Sequence, residues 1–138
     1  KMNITTVIEI DNYKDVFCSK KQSISAHSNA KALILAENTN GCIYEGAPVC
    51  QSFGNENFYY CSCMMNCIFD CEYCYLKGMY QSGNLVVFVN LEDIFAELEA
   101  LLEQKTIYLC VSYAADLVAI ESHTGFGMEW IAFTKKHE

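Results

Sequence analysis

Three closely spaced cysteines are the residues whose types and spacing most clearly indicate chemistry. Cys67, Cys71 and Cys74 form a C-x3-C-x2-C triplet, and no other set among the nine cysteines has this spacing. Iron–sulfur clusters are held by cysteine thiolates, so three thiolates on a tight loop can serve three irons of a [4Fe–4S] cluster. The fourth iron keeps an open position, as a catalytic metal does when a substrate must bind it. The triplet therefore predicts a [4Fe–4S] cluster with one open iron.

Other cysteines leave alternative metal sites open. A structural zinc site needs a second pair of ligands, which Cys61 and Cys63 could supply. An electron-transfer cluster needs a fourth cysteine ligand, for which Cys63 is available. A non-catalytic iron–sulfur or zinc protein is therefore an alternative. The sequence predicts ordinary buried thiols at Cys18, Cys42 and Cys50.

The composition limits the partners that the chain can bind. Its 138 residues suffice for one compact domain, and a hydrophobic fraction of 52 % supports a buried core. The net charge of −8 argues against a surface that binds polyanions in general. All nine basic residues are lysines, so the chain has no arginine to clamp a phosphate or carboxylate through two bonds.

Cysteine usage indicates the compartment. An odd number of cysteines, with no charged-then-apolar leader, does not suit a secreted disulfide framework. Clustered cysteines in a reducing compartment more often bind metal. No apolar run approaches the roughly 20 residues of a membrane span. We expect a cytoplasmic protein without a membrane partner.

Short apolar runs mark the strands that must position the cysteines. Residues 6–10 (TVIEI) are a strand candidate, and residues 58–60 begin an extended run that leads into the cysteines. Residues 85–89 (LVVFV) are continuously apolar, as expected of a parallel strand covered on both faces. Residues 107–111 (IYLCV) are predicted to form a second buried strand. Residues 12–29 are predicted to be irregular.

Two helices are predicted from apolar residues at three-four spacing. Asn90 can cap the first, whose apolar face consists of Leu91, Ile94, Phe95, Leu98, Leu101 and Leu102. Glu97 is assigned to its solvated side. The second helix, over residues 126–136, has one stripe formed by Phe126, Trp130 and Phe133. This α/β alternation predicts parallel β/α units, with their chemistry at the C-terminal ends of the strands.

The cysteine triplet, with an aromatic residue before its third cysteine, resembles the cluster loop of the radical S-adenosylmethionine (SAM) superfamily. The similarity extends from about residue 32 to residue 137. The stretch CMMNCIFDCEYCYLKGMY (residues 63–80), followed by LVVFVNLEDIF (residues 85–95), is similar to the spore photoproduct lyase family and its close relatives. In that family, too, a Tyr-Cys-Tyr-Leu run follows the triplet, and a strand ending in Val-Asn precedes a helix.

The resemblance implies a fold for each part of the chain. Residues 57–138 would form the first three β/α units of a partial (β/α)6 radical SAM barrel, after a loop-rich α/β lead-in over residues 1–56. Family members are roughly twice as long, and such a barrel needs six strands. We therefore expect a segment of a radical SAM enzyme, with an inactive truncated fragment as an alternative.

The resemblance also implies cofactors and partners. Cys67, Cys71 and Cys74 would ligate the cluster, and SAM would bind its open iron through amino and carboxylate groups. One electron from a flavodoxin- or ferredoxin-type donor would split SAM and give a 5′-deoxyadenosyl radical that takes a hydrogen atom from the substrate. In spore photoproduct lyases that substrate is a thymine dimer, which makes DNA a possible partner through the rest of a longer chain.

Four more residues are candidates through the resemblance. Tyr73 and Tyr75 match family positions linked to SAM placement and radical return, although aromatic packing around the cluster is the other interpretation. The family's repair enzymes carry a hydrogen-donor cysteine, and alignment on Asp116 puts Tyr113 at that position. Cys110 lies three residues earlier, so it would face away from Tyr113 unless the strand ends first.

Overall fold

The computed structural model describes residues 6–18, 32–69, 71–80 and 82–137, which form a mixed α/β structure. In chain order the described elements are α1 (Tyr13–Phe17), β1 (Leu33–Ala36), β2 (Ile43–Glu45), β3 (Phe58–Cys61), β4 (Met64–Met65), α2 (Leu76–Met79), β5 (Leu85–Phe88), α3 (Leu91–Leu102), β6 (Tyr108–Cys110), α4 (Glu121–Thr124) and α5 (Phe126–Thr134). None of these helices is long and apolar enough to cross a membrane.

The strands lie in two small sheets. Sheet A has the order β1-β5-β4, with β1 parallel and β4 antiparallel to β5. Sheet B has the order β2-β3-β6, with β6 parallel and β2 antiparallel to β3. Each sheet therefore contains one parallel pair, whereas the alternation along the sequence predicted parallel β/α units throughout. The lead-in contributes a strand to each sheet, and its boundary at residue 56 stays a prediction.

Strand β5 is buried on both faces, which confirms the prediction from its continuous apolar run. Successive side chains of a strand point to opposite faces, so the strand contributes to two hydrophobic clusters. Leu85 and Val87 belong to the main core, which also contains Ile94 and Trp130. Val86 and Phe88 belong to the second core.

Helix α3 confirms the predicted apolar face, because its buried residues are Leu91, Ile94 and Leu98. The predicted cap is different: the Asn90 side chain does not accept a hydrogen bond from the helix. Its Oδ1 instead accepts the N–H of Asn38 at 2.9 Å. Glu97 is exposed, as its assignment to the solvated side predicted, and its carboxylate also accepts the N–H groups of Cys42 and Ile43 at 2.8 and 3.3 Å.

The C-terminal elements agree with the sequence in part. Helix α5 forms where it was predicted, with Trp130 and Phe133 buried. Strand β6 forms within residues 107–111, but its three residues are only half-buried. The reason is that β6 lies at the edge of sheet B, with β3 as its neighbour.

The N-terminal segment corrects two expectations. Residues 6–10 form no strand, and Val7 and Ile8 are largely exposed, because a β-branched run without a partner strand gains no ladder bonds. Helix α1 was not predicted; the Asn12 side chain caps it by accepting the N–H of Lys14 at 3.0 Å. The rest of the segment predicted to be irregular, residues 19–29, lies outside the described residues.

Candidate functional site

A cavity of about 310 Å³ lies where strands of both sheets end. Asn38 lines it beyond β1, Ser62 beyond β3, Phe88 at the end of β5 and Tyr113 beyond β6. All four lie at or beyond the C-terminal end of a strand, which is the edge where the sequence placed the chemistry. The volume is at the lower end of the range for small-molecule sites.

Tyrosine rings form much of the cavity wall, which includes Tyr13, Tyr44, Tyr60, Tyr80 and Tyr113. Tyr44 and Tyr60 are stacked with ring centroids 5.5 Å apart. The ring of Tyr113 lies 4.4 Å from that of Tyr60, centroid to centroid. Such a wall offers flat apolar faces to a planar ligand.

The cysteine loop comprises residues 67–74, of which the structure describes 67–69 and 71–74. It contacts a core that contributes to the wall of this cavity. Cys67 and Cys74 pack against the second core, whose Tyr80 and Phe88 also line the cavity. Cys67, Cys71 and Cys74 are half-buried free thiols. The Sγ of Cys67 accepts the backbone N–H of Phe69 at 3.5 Å. The three thiols are thus partly shielded from water, and Cys67 and Cys74 pack against the core that contributes to the cavity wall.

The thiols match an iron–sulfur cluster in donor type, although the loop does not bring them to ligand spacing. Among the described residues, no three His, Cys, Asp or Glu side chains are close enough together to hold a metal ion. Three free thiols within eight residues nevertheless give the donor set that iron–sulfur clusters use. Metal binding and folding of the ligand segment are commonly coupled, so present spacing does not decide the fit.

Both ends of the cysteine loop are fixed to the same short segment after β6. Before the loop, the backbone N–H of Asn66 donates to the carbonyl oxygen of Ala114 at 2.9 Å. After it, the hydroxyl of Tyr75 donates to the carbonyl oxygen of Tyr113 at 2.7 Å. The hydroxyl of Tyr80 donates to Ala114 O at 3.3 Å. The loop is therefore anchored on the cavity wall at its entry and its exit.

Tyr73 and Tyr75, the two candidate tyrosines on either side of Cys74, have different surroundings. Tyr73 is 92 % exposed, so its predicted role in placing SAM stays a prediction. Tyr75 is 63 % exposed, but its hydroxyl is held by Tyr113 O. Partial burial raises the pKa of Tyr75, and the nearby thiols of Cys74 and Cys110 add to the increase. The structure thus brings Tyr75, but not Tyr73, to the segment after β6.

Cys110 is the last residue of β6, and Tyr113 lies three residues beyond the end of the strand. The strand ends at Cys110, so the alternation that would turn Cys110 away from Tyr113 does not continue to Tyr113. The phenol Oη of Tyr113 is 3.9 Å from Cys50 Sγ, and this contact raises the pKa of Tyr113. The Cys50 contact has no signal in the sequence, because 63 residues separate the partners.

Cys61 and Cys63, the alternative ligands, are buried in the main core. Burial raises the pKa of Cys63 to about 11, although the Trp130 indole N–H donates to its Sγ at 3.2 Å and partly opposes that rise. Burial also raises the pKa of Cys61 well above its usual range. Its thiol donates to the carbonyl oxygen of Val111 at 3.7 Å. Burial therefore favours the protonated form of both thiols.

Cys18, Cys42 and Cys50 were predicted to be ordinary buried thiols, and the prediction holds for one of them. Cys42 is buried in the main core, as predicted. Cys50 is half-buried and Cys18 is exposed, so the prediction was wrong for these two. Cys18 directly follows α1 and ends that helix, which leaves its side chain toward solvent.

The site belongs to a mixed α/β chain with an aromatic cavity and a cysteine loop beside it. This chain matches no protein-family model, no curated protein and no solved structure.

Proposed function

We propose that this chain is part of a cytoplasmic radical SAM enzyme, similar to the spore photoproduct lyases. In this proposal, residues 57–138 belong to the N-terminal half of a partial (β/α)6 barrel. The observation that carries the proposal is the C-x3-C-x2-C triplet on a loop anchored at a cavity beyond the ends of the strands.

Cys67, Cys71 and Cys74 would hold the [4Fe–4S] cluster through three thiolates. When bound, the cluster and SAM supply a one-electron cleavage that yields a 5′-deoxyadenosyl radical. The chain's own contribution is to hold the thiols half-buried against the second core. A partly shielded site limits the access of water to reactive intermediates.

The cavity is the proposed place for the SAM nucleoside. Aromatic side chains stack on nucleobases, and the stacked pair of Tyr44 and Tyr60 offers such a face. Asn38 and Asn40 line the same cavity and carry amide donors and acceptors. A role of Tyr113 and Cys110 in returning a hydrogen atom is part of the proposal.

The partners follow from the family resemblance. We expect a reducing protein of flavodoxin or ferredoxin type and, in a longer chain, possible contact with DNA. Repair of a DNA photoproduct is the known use of the family. Tyr113 stands where its repair enzymes have a cysteine, so the substrate of this chain can differ from theirs.

The positions of Cys61 and Cys63 favour a cluster with one open iron over a zinc site or an electron-transfer cluster with four cysteine ligands. A zinc site would recruit both thiols, and an electron-transfer cluster would recruit Cys63. Ligation needs thiolates, whereas burial in the main core favours the protonated form of both groups. Recruiting them would also take two residues out of the main core.

Anaerobic reconstitution of the full chain with iron and sulfide, then addition of dithionite and SAM, tests the proposal. Release of 5′-deoxyadenosine is the expected result. Tight binding of zinc with no cluster would contradict it. A cluster that never cleaves SAM would favour an electron carrier or an inactive fragment. Sequencing the reading frame beyond Glu138 then separates these two.

A further inference from the structure

The residue before the cysteine loop combines an unusual backbone with deep burial. Asn66 has a φ of 72°, in the left-handed region that residues other than glycine seldom adopt. Its side chain is almost completely buried, with an exposed fraction of 1 %. Asparagine tolerates this backbone because its short polar side chain bonds locally. A buried amide also requires hydrogen-bond partners, and these partners indicate what the residue does.

The side chain of Asn66 bonds to three backbone groups. Its Nδ2 donates to the carbonyl oxygen of Ser82 at 2.7 Å and to that of Asn84 at 3.0 Å. Its Oδ1 accepts the backbone N–H of Cys67 at 2.9 Å. Both amide hydrogens and the amide oxygen are thus used. The side chain joins the first cysteine of the triplet to the segment that leads into β5.

The backbone of Asn66 makes a further link. Its N–H donates to the carbonyl oxygen of Ala114, in the segment after β6. Asn66 therefore joins three parts of the molecule: the first cysteine, the start of β5 and the wall of the cavity. These parts come from distant positions in the chain, so no local structure alone sets their relation.

We infer that Asn66 is a positioning residue for the Cys67 thiol. It fixes the direction in which the chain enters the cysteine loop and holds the backbone N–H of Cys67. Glycine would keep the backbone conformation but lose the amide. Aspartate would keep the oxygen that accepts the N–H of Cys67. Its second carboxylate oxygen would face the carbonyl oxygens of Ser82 and Asn84, to which it cannot donate a hydrogen bond. That Asn66 positions Cys67 is inferred from its hydrogen bonds alone. That it thereby supports cluster binding rests on the proposed function.

The test compares Asn66→Gly with wild type in the metal-free full chain. Thiols are alkylated with iodoacetamide, and the rate at each cysteine is read by mass spectrometry. We expect Cys67 to react about tenfold faster in the variant, the size expected when buried hydrogen bonds are lost. Cys63, in the main core, reports global unfolding in the same sample.

The ratio of the Cys67 rate to the Cys63 rate decides between positioning and general destabilisation. A rise in this ratio in Asn66→Gly supports the inference. An unchanged ratio overturns it, even if the variant is less stable, because both thiols then report the same unfolding.

A matched control is Asn57→Gly. Asn57 also has a left-handed φ, of 52°, and its Nδ2 donates to the carbonyl oxygen of Thr106 at 3.0 Å. It lies at the opposite end of β3 from the cysteine loop. We expect this variant to leave the labelling ratio unchanged, and an equal rise in both variants would contradict the inference.

Iron uptake distinguishes the failure of this inference from the failure of the proposed function. If wild type binds no iron–sulfur cluster, the proposed function is wrong, and the labelling ratio still decides the role of Asn66. If wild type binds a cluster, we expect Asn66→Gly to retain about tenfold less at limiting iron. Full retention by the variant would contradict the extension to cluster binding.

Discussion

The pH dependence of stability tests whether Cys63, one of the two alternative metal ligands, is a protonated thiol of the main core. Burial raises its pKa from an ordinary value of about 9 to about 11. Because the folded state holds the proton more tightly, this contribution to stability is fully present below pH 9. It falls as pH rises toward 11, since the unfolded chain loses the proton first. The full loss corresponds to about 3 kcal/mol, and about half of it is expected by pH 10.

The assay is urea unfolding between pH 8 and pH 10.5, with Cys63→Ser as the matched variant. Serine keeps an acceptor for the Trp130 indole N–H but does not titrate in this range. Other groups also titrate here, so the informative quantity is the difference between the pH slopes of wild type and variant. We expect wild type to lose about 1 kcal/mol more than Cys63→Ser between pH 8 and pH 10.

A Cys63 that ligates a metal ion present in the assay predicts the opposite sign. Its pKa would be lowered, so stability would rise with pH until the thiol is ionised and would not fall above pH 9. Equal slopes for wild type and Cys63→Ser would refute the assignment of this thiol to the main core.

Two further predictions concern the core and the anchoring of the loop. Ile94 is fully buried, so Ile94→Ala should lower the free energy of unfolding by about 2–5 kcal/mol in urea titrations; a loss below about 0.5 kcal/mol would contradict the packing described. Tyr75→Phe removes the bond to Tyr113 O and should speed alkylation of Cys74 roughly fivefold. Tyr73→Phe, at an exposed position, serves as its control, and equal effects of the two changes would show that the anchor has no role.

Much of the second half of the fold was predictable because its signals are local. An unbroken apolar run identified β5, and three-four spacing identified α3 and α5. The assignment of strands to two sheets was not predictable, since pairing of residues 33–36 with 85–88 depends on contacts between distant segments. Helix α1 was missed because its five residues are too short for a periodic pattern.

The candidate site divides in the same way. The spacing of the triplet carries its own chemical meaning, so its three thiols were identified without the fold. The contact of Cys50 with Tyr113 and the bonds of Asn66 to the segment before β5 join distant positions, which spacing does not reveal. The left-handed backbone of Asn66 also has no signal in the sequence beyond the residue type.

The central claim is that the triplet holds an iron–sulfur cluster, and iron content after anaerobic reconstitution tests it most directly. Cys71→Ala and Cys50→Ala form a matched pair, because each removes one half-buried free thiol. We predict roughly four irons per chain in wild type and in Cys50→Ala, and a loss of most of that iron in Cys71→Ala. Equal iron in the two variants, whether both retain it or both lose it, would contradict the assignment of Cys67, Cys71 and Cys74 as the cluster ligands.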